Sequence, residues 1–182
     1  MKIIETEFKG LLLIEPEVFE DDRGWFMESW NLRRFEERGL AVKFVQDNIS
    51  FSRKGVLRGL HFQNPDPQGK LVSVLEGSVF DVAVDVRKSS PTFGRSLGTE
   101  LSAGNRRQLY IPEGFAHGFL VLSETARFFY KCTALYNPAA ERTLLWNDPD
   151  LGIDWPLTDP IVSGKDNRGI PLKEFGADVL FA

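Results

Sequence analysis

The chain has 182 residues, enough to bury roughly 70% of its unfolded surface in one domain without disulfide or metal staples. Its composition, 42% hydrophobic and 26% charged with 16 Gly and 10 Pro, excludes a disordered or collagen-like chain. The balance of 22 basic against 26 acidic residues, net charge −4, offers no bulk attraction for nucleic acid or an anionic membrane. A lone cysteine, Cys132, excludes an intrachain disulfide, and with only two histidines a structural Cys/His zinc site is out of reach. Met1–Glu5 lacks the apolar run and cleavage site of a signal peptide, and no apolar run approaches ~18 residues. A cytoplasmic protein without a membrane segment is expected, and residues 1–182 carry no repeat or linker-like break, which favours a single domain.

In chain order, the first strand-like run is Leu11–Val18. A short helix is expected over Asn31–Arg38, with Asn31 as N-cap, Leu32 and Phe35 as its apolar stripe, and Gly39 as its stop. Further strand-like runs are Phe44–Phe51, Val56–Gln63, Leu71–Leu75, Val79–Val86, Phe115–Leu122 and Ala126–Leu135. Many short strands separated by turn residues point to an all-β jelly-roll β-sandwich with few short helices.

Two short connections read as hairpins. A loop at Glu76-Gly77 would pair Val74 with Val79 and Val72 with Asp81, and a second would turn through Ser123-Glu124-Thr125. Alternation puts Lys70, Val72, Val74, Val79, Asp81, Ala83 and Asp85 on one face and Phe80, Val82, Val84 and Val86 on the other. Lys70 then lies diagonal to Asp81, which as an ordinary rim ion pair would contribute about 0–1 kcal/mol. Tyr130 shares its side with Phe128 and Cys132, as a buried tyrosine with one hydrogen-bond partner would.

Both histidines, His61 and His117, sit in strand-like stretches beside glycine, with Arg58, Gln46, Asn48 and Lys70 adding polarity to apolar sequence. Strict alternation puts Arg58 and His61 on opposite faces, so a shared cavity would require a bulge or twist at Gly59. Ser163–Pro171 reads as a polar, turn-rich loop, which by composition alone would be solvated.

Taken together, Asp21-Asp22-Arg23-Gly24-Trp25-Phe26-Met27-Glu28, Gln46-Asp47-Asn48, Arg58-Gly59-Leu60-His61, Gln68-Gly69-Lys70, Pro112-Glu113-Gly114-Phe115-Ala116-His117-Gly118, Tyr130-Lys131-Cys132-Thr133, Trp146-Asn147-Asp148-Pro149 and Ser163-Gly164-Lys165-Asp166 resemble the dTDP-4-dehydrorhamnose 3,5-epimerases along nearly the whole chain. The resemblance implies a cupin-type jelly roll, no cofactor, and inversion of the two carbons flanking the ketone of a dTDP-4-keto-6-deoxy sugar. It implies His61 as base, Asp166 as its orienting carboxylate, Lys70 as the enolate-stabilising cation held by Asp81, and Tyr130 as acid. Gln46, Asn48, Arg58, Lys70, His117, Tyr136, Glu141 and Lys165 resemble the residues that line the substrate. Arg23, Phe26 and Glu28 resemble residues reaching that site from a partner subunit, which implies a homodimer with exchanged N-terminal strands. Ala134-Leu135 departs from the more polar or aromatic pair expected before Tyr136, and this departure bears on the nucleobase contacts.

Three rivals stand beside this reading. A two-histidine, one-carboxylate iron site would need a second histidine close to His61, where the sequence has Phe62. A sugar-binding cupin without activity would leave Lys70, Tyr130 and the His61/Asp166 pair without a task. Close relatives that epimerise one carbon, or shift the keto group, use the same chemistry.

Overall fold

A computed structural model describes residues 1–176 and 178–182. Its strands are β1 (Lys2–Glu5), β2 (Leu12–Glu15), β3 (Val18–Asp21), β4 (Gly24–Met27), β5 (Gln46–Arg53), β6 (Val56–Gln63), β7 (Lys70–Glu76), β8 (Ser78–Asp85), β9 (Ser96–Ser102), β10 (Gln108–Ile111), β11 (Phe115–Val121), β12 (Thr125–Cys132), β13 (Glu141–Thr143) and β14 (Ile161–Val162). The expected early run is split because Pro16, which has no N–H to donate, ends β2 before β3 begins. The expected helix forms as α1 (Leu32–Glu36), with the Asn31 side chain accepting from the Arg34 N–H and only Phe35 of its apolar pair buried.

One sheet has the order β1-β2-β10-β7-β12-β5 and the other β13-β6-β11-β8-β9, with β14 added in parallel to β6. β3 and β4 form a separate two-stranded hairpin. The two sheets pack face to face as the jelly-roll β-sandwich that the strand pattern implies. Val72, Val74, Leu109, Ile111, Ala126 and Phe128 from one sheet meet Val79, Ala83, Leu101, Phe115, Phe119 and Val121 from the other. The Phe119 and Phe128 rings stack across this interior with centroids 4.1 Å apart.

The face assignments hold, but both expected hairpins are corrected. β7 pairs with β10 and β12, whereas β8 pairs with β11 and β9, so the chain crosses from one sheet to the other at Gly77. β11 and β12 likewise lie in different sheets, and Ser123–Thr125 is a second crossing. The two crossings lock together: Ser78 N–H donates to Ser123 Oγ at 2.8 Å, and a Cβ on Gly77 (φ +78°) would lie 2.0 Å from Thr125 O. That contact between sequence-distant loops decides the topology, and a turn motif cannot report it.

Part of each outer face is covered. Phe80, Val82, Val84 and Val86 pack with Leu144, Leu151, Leu172 and Leu180 from the C-terminal segment, while Leu71 and Tyr110 pack with Ile14, Phe35 and Leu40. This explains why both faces of β8 are apolar. A strand buried on both sides gains burial energy from both, roughly 1.5–3 kcal/mol for each large side chain.

Candidate active site

Toward one end of the sandwich the inward positions change from Val, Leu and Phe to Gln46, Asn48, Arg58, His61, Lys70, His117 and Tyr130. They line a cavity of about 600 Å³ between the sheets, a volume in the range of small-molecule sites. Tyr136 and Glu141 line it from the 133–141 stretch, and Lys165 and Asp166 from the loop after β14.

The condition for Arg58 and His61 to share the cavity is met. His117 pairs with His61 and Phe119 with Arg58, so Gly59 and Leu60 stand opposite Gly118 alone, a bulge that turns both side chains inward. Gly59 has φ +129°, and a Cβ there would lie 2.5 Å from Gly118 Cα. Two glycines at closest approach make the bulge possible. Arg58 Nε is then held by Ser52 Oγ at 3.0 Å.

His61 Nε2 lies 2.6 Å from Asp166 Oδ1. Asp166 opens a 3-10 turn, Asp166–Arg168, and its carboxylate also accepts from Gly59 N–H at 3.4 Å while its own N–H donates to Ser163 Oγ at 3.1 Å. Burial alone would raise the Asp166 pKa, yet the hydrogen bond and charge of His61, with Gly59 and Ser163, hold it below the usual carboxylate value. An ionised Asp166 fixes the proton on Nε2 and leaves Nδ1 as the basic nitrogen. The Ser163–Pro171 stretch is thus a structural part of the cavity wall, anchored by β14 against Val56 and Leu57.

Lys70 is 8% exposed and forms no ion pair within 4 Å among the described residues. The expected pairing with Asp81 is corrected: both Asp81 oxygens face His117 Nε2, at 2.9 and 3.1 Å, and the His117 ring stacks on Phe128. The reason is topological. Asp81 and Lys70 belong to opposing sheets, whereas Asp81 stands beside His117 on adjacent strands of one sheet. Burial pushes the Lys70 ammonium down, against the fields of Cys132, Glu141 and Asp81. Tyr130 is half-buried, and burial pushes its phenol up, as do Cys132 and Glu141, while Arg58 pulls it down. The phenol stays protonated through neutral pH.

Tyr136 and Lys165 meet on Glu141, with Tyr136 Oη donating at 2.9 Å and Lys165 Nζ at 2.8 Å. Burial raises the Glu141 pKa, but these two hydrogen bonds and the charges of Lys165 and His61 lower it on balance. Three glutamines hold this stretch, of which Gln63 and Gln68 were not among the expected site residues: Gln46 Oε1 accepts from Tyr136 N–H, Gln63 Oε1 from Asn137 N–H, and Gln68 Nε2 donates to Ala134 O. Buried Gln63 at the end of an apolar strand was the available signal.

Arg23, Phe26 and Glu28 are not among the cavity residues of the single chain. Arg23 is paired to Asp21 at the tip of the β3–β4 hairpin, Phe26 is 68% exposed, and Glu28 holds Asn31 and Arg34. Among the described residues no three His, Cys, Asp or Glu side chains are grouped as a metal ion would need, each histidine being engaged by its own carboxylate. Among them also, no helix is long and apolar enough to cross a membrane.

Residues 5–174 match the family of dTDP-4-dehydrorhamnose 3,5-epimerases. The chain belongs to this family. The dTDP-4-dehydrorhamnose 3,5-epimerase of Methanothermobacter thermautotrophicus is 56% identical over 176 residues, 95% of each chain. Among solved structures, the dTDP-6-deoxy-D-glucose-3,5-epimerase of Legionella pneumophila, in complex with dTDP-4-keto-L-rhamnose, has a TM-score of 0.96 at 52% identity and covers 99% of this chain and 97% of its own. ChmJ, a 3'-monoepimerase from Streptomyces bikiniensis in complex with dTDP-quinovose, has a TM-score of 0.88 at 34% identity, covering 93% of this chain and 87% of its own. The fold is therefore the epimerase jelly roll, and the chain is that of an isomerase.

Proposed function

We propose that this enzyme converts dTDP-4-dehydro-6-deoxy-D-glucose to dTDP-4-dehydro-L-rhamnose by inverting C3 and C5, each α to the C4 ketone. The observation that carries the reading is the opposition of two proton-handling groups across one cavity: His61, bonded by Asp166, on one sheet and Tyr130 on the other, with the Lys70 ammonium placed to face an oxygen. His61 Nδ1 takes the proton from the carbon, and the Nε2–H bond to Asp166 stabilises the imidazolium that forms. Lys70 donates to the oxygen that gains charge as the enolate develops, in a buried place where that interaction is strong. Tyr130 returns a proton from the opposite face, which inverts the carbon. His117, held by Asp81, lines the sugar beside Lys70.

Arg58, Gln46 and Asn48 bind the diphosphate and sugar, and Tyr136, Glu141 and Lys165 form the rim where the nucleoside lies. Leu135, 66% exposed beside Tyr136, offers the base only apolar contact. The β3–β4 hairpin carries Arg23, Phe26 and Glu28 into the site of a second copy. Its exposed Phe19, Trp25 and Phe26, together with Ile49 and Phe51 on the edge strand β5, supply the apolar surface such a homodimer would bury. The reaction belongs to the cytoplasm, where nucleotide sugars are made. Likeness to ChmJ sustains one rival, inversion of a single carbon.

Incubation with dTDP-4-dehydro-6-deoxy-D-glucose in deuterated water, with deuterium counted at each carbon by NMR and mass spectrometry, decides between them. Deuterium at both C3 and C5 of an L-configured product is expected. Label at one carbon only establishes the monoepimerase, and no label removes the proton-transfer mechanism.

A further inference from the structure

The end of the loop after β9 and the first residue of β10 set three consecutive side chains against the stretch that carries Arg23, Phe26 and Glu28. Arg106 Nη1 donates to Glu20 Oε1 at 3.0 Å, and its guanidinium carbon lies 4.8 Å from the Trp25 ring centre. Glu20 and Trp25 are direct cross-strand partners in the β3–β4 hairpin, so one guanidinium grips both of its strands. Arg107 then bonds Glu15 at 2.8 Å, and Gln108 Nε2 donates to Ser29 O at 3.1 Å, on either side of the hairpin. Arg106 has φ +56°, a conformation side chains seldom adopt, and its Nε is buried without a hydrogen-bond partner. Two local penalties at one residue indicate that its surroundings hold it there for what its other end does.

We propose that Arg106 is a positioning residue for the nucleotide site of the neighbouring subunit: it sets the angle of the β3–β4 hairpin and thereby the place of Arg23 and Phe26. The proposal rests on the reading that the hairpin works in the partner's site. A two-stranded hairpin outside either main sheet has little stability of its own, so its direction depends on what grips it: Arg107 and Gln108 on the segments flanking its base, and Arg106 at the Glu20–Trp25 pair, one pair short of the Asp21–Gly24 end. Arginine suits the task because its planar group lies over Trp25 while one of its N–H groups donates to Glu20, whereas lysine can do only one of these at a time. Arg23 lies two residues from Trp25, so a small rotation there displaces the tip.

The test uses the full-length enzyme. Arg106→Ala should raise KM roughly tenfold, with kcat within about twofold and an unchanged sedimentation coefficient, because uniform binding is lost and transition-state contacts are not. Arg106→Lys should recover part of the loss. Should Arg106→Ala fail to fold, the surface double variant Glu20→Gln/Trp25→Leu removes the same grip from the other side and should raise KM alike. The deciding measurement is a differently tagged hybrid of Arg106→Ala with His61→Asn. Its one competent site belongs to the Arg106→Ala chain but receives the hairpin of the His61→Asn chain, so KM should return to the parent value. A KM unchanged in both the Arg106 variant and the double variant, or a hybrid that keeps the raised KM, overturns the proposal. A parallel hybrid of Arg23→Ala with His61→Asn separates the two layers. Failure of that hybrid to recover removes the shared-site reading and the proposal with it, whereas recovery there without recovery for Arg106 places the fault in Arg106 alone.

Discussion

His61 and Asp166 are 105 positions apart in the chain and 2.6 Å apart in the fold, and the roles given to them differ in what their loss should do. His61→Asn should lower kcat by ~10²- to 10⁴-fold with little change in KM, because a general base acts in the transition state. Asp166→Asn should reduce turnover less, since it orients a ring that remains. Near-parental solvent exchange of the substrate's α-protons by His61→Asn would remove it as base. Tyr130→Phe separates acid from base. Its prediction is deuterium incorporation with retained configuration that outruns formation of inverted product, and L-configured sugar at the parent rate would assign the returning proton to another donor. A third prediction concerns Asp85, wholly buried and bonded by Arg87, Ser90 Oγ and Thr92 Oγ. Burial acts to raise its pKa, but the hydrogen bonds from Arg87, Ser90 and Thr92 win and lower it from 3.8. A lowered folded-state pKa means stability fully present above the unfolded value and lost as pH falls through the folded one. Urea unfolding of the parent should therefore weaken below about pH 4, and Asp85→Asn should be less stable at pH 7 with a shallower acid slope. Equal acid slopes for the two would contradict this.

At the scale of the element, β6 shows what alternation can and cannot tell. Period two assigned Arg58 and His61 to opposite faces, and the bulge opposite Gly118 brings them to one. A bulge or twist at Gly59 was visible in the sequence as a requirement, but that Gly118 of β11 would press on it was not. Gly59→Ala should therefore be destabilised by more than ~2 kcal/mol, a fall in Tm of at least ~4 °C, since φ +129° and a 2.5 Å contact both oppose a Cβ. It should also lose activity, because His61 and Arg58 move with the bulge. Parent-like Tm and kcat in that variant would show that the bulge is dispensable. Strand β9 was illegible for a related reason. Gly98 looks like a break, yet a Cβ there would sit 2.2 Å from Phe80 Cζ: the glycine makes room for a ring from the neighbouring strand.

For the whole molecule, the cavity exists because two sheets supply opposite walls, and the hairpin that leaves the sandwich carries Arg23 and Phe26 outside the cavity of their own chain. If those residues complete a partner's site, removing the first 28 residues or diluting to monomer should abolish substrate binding and dimerisation together, as followed by sedimentation and calorimetric titration with dTDP. A fully active monomer would refute shared sites.

The sequence by itself determined the faces that β7, β8 and β12 turn inward, the short helix with its Asn31 cap, and, through ordered motifs along the chain, the family. These are local properties: side-chain period, capping chemistry and residue identity do not depend on what lies across the core. Tertiary structure alone decided which strands pair. Gly77 and Ser123–Thr125 resemble hairpin turns yet carry the chain between sheets, because the two crossings pack on each other 45 residues apart in sequence. It also moved Asp81 from Lys70 to His117, since a carboxylate buried at 0% exposure takes the partner its own sheet holds within hydrogen-bond reach. Lys70 is thereby left lining the cavity with no ion pair within 4 Å among the described residues, a consequence of long-range packing that alternation along one strand does not encode.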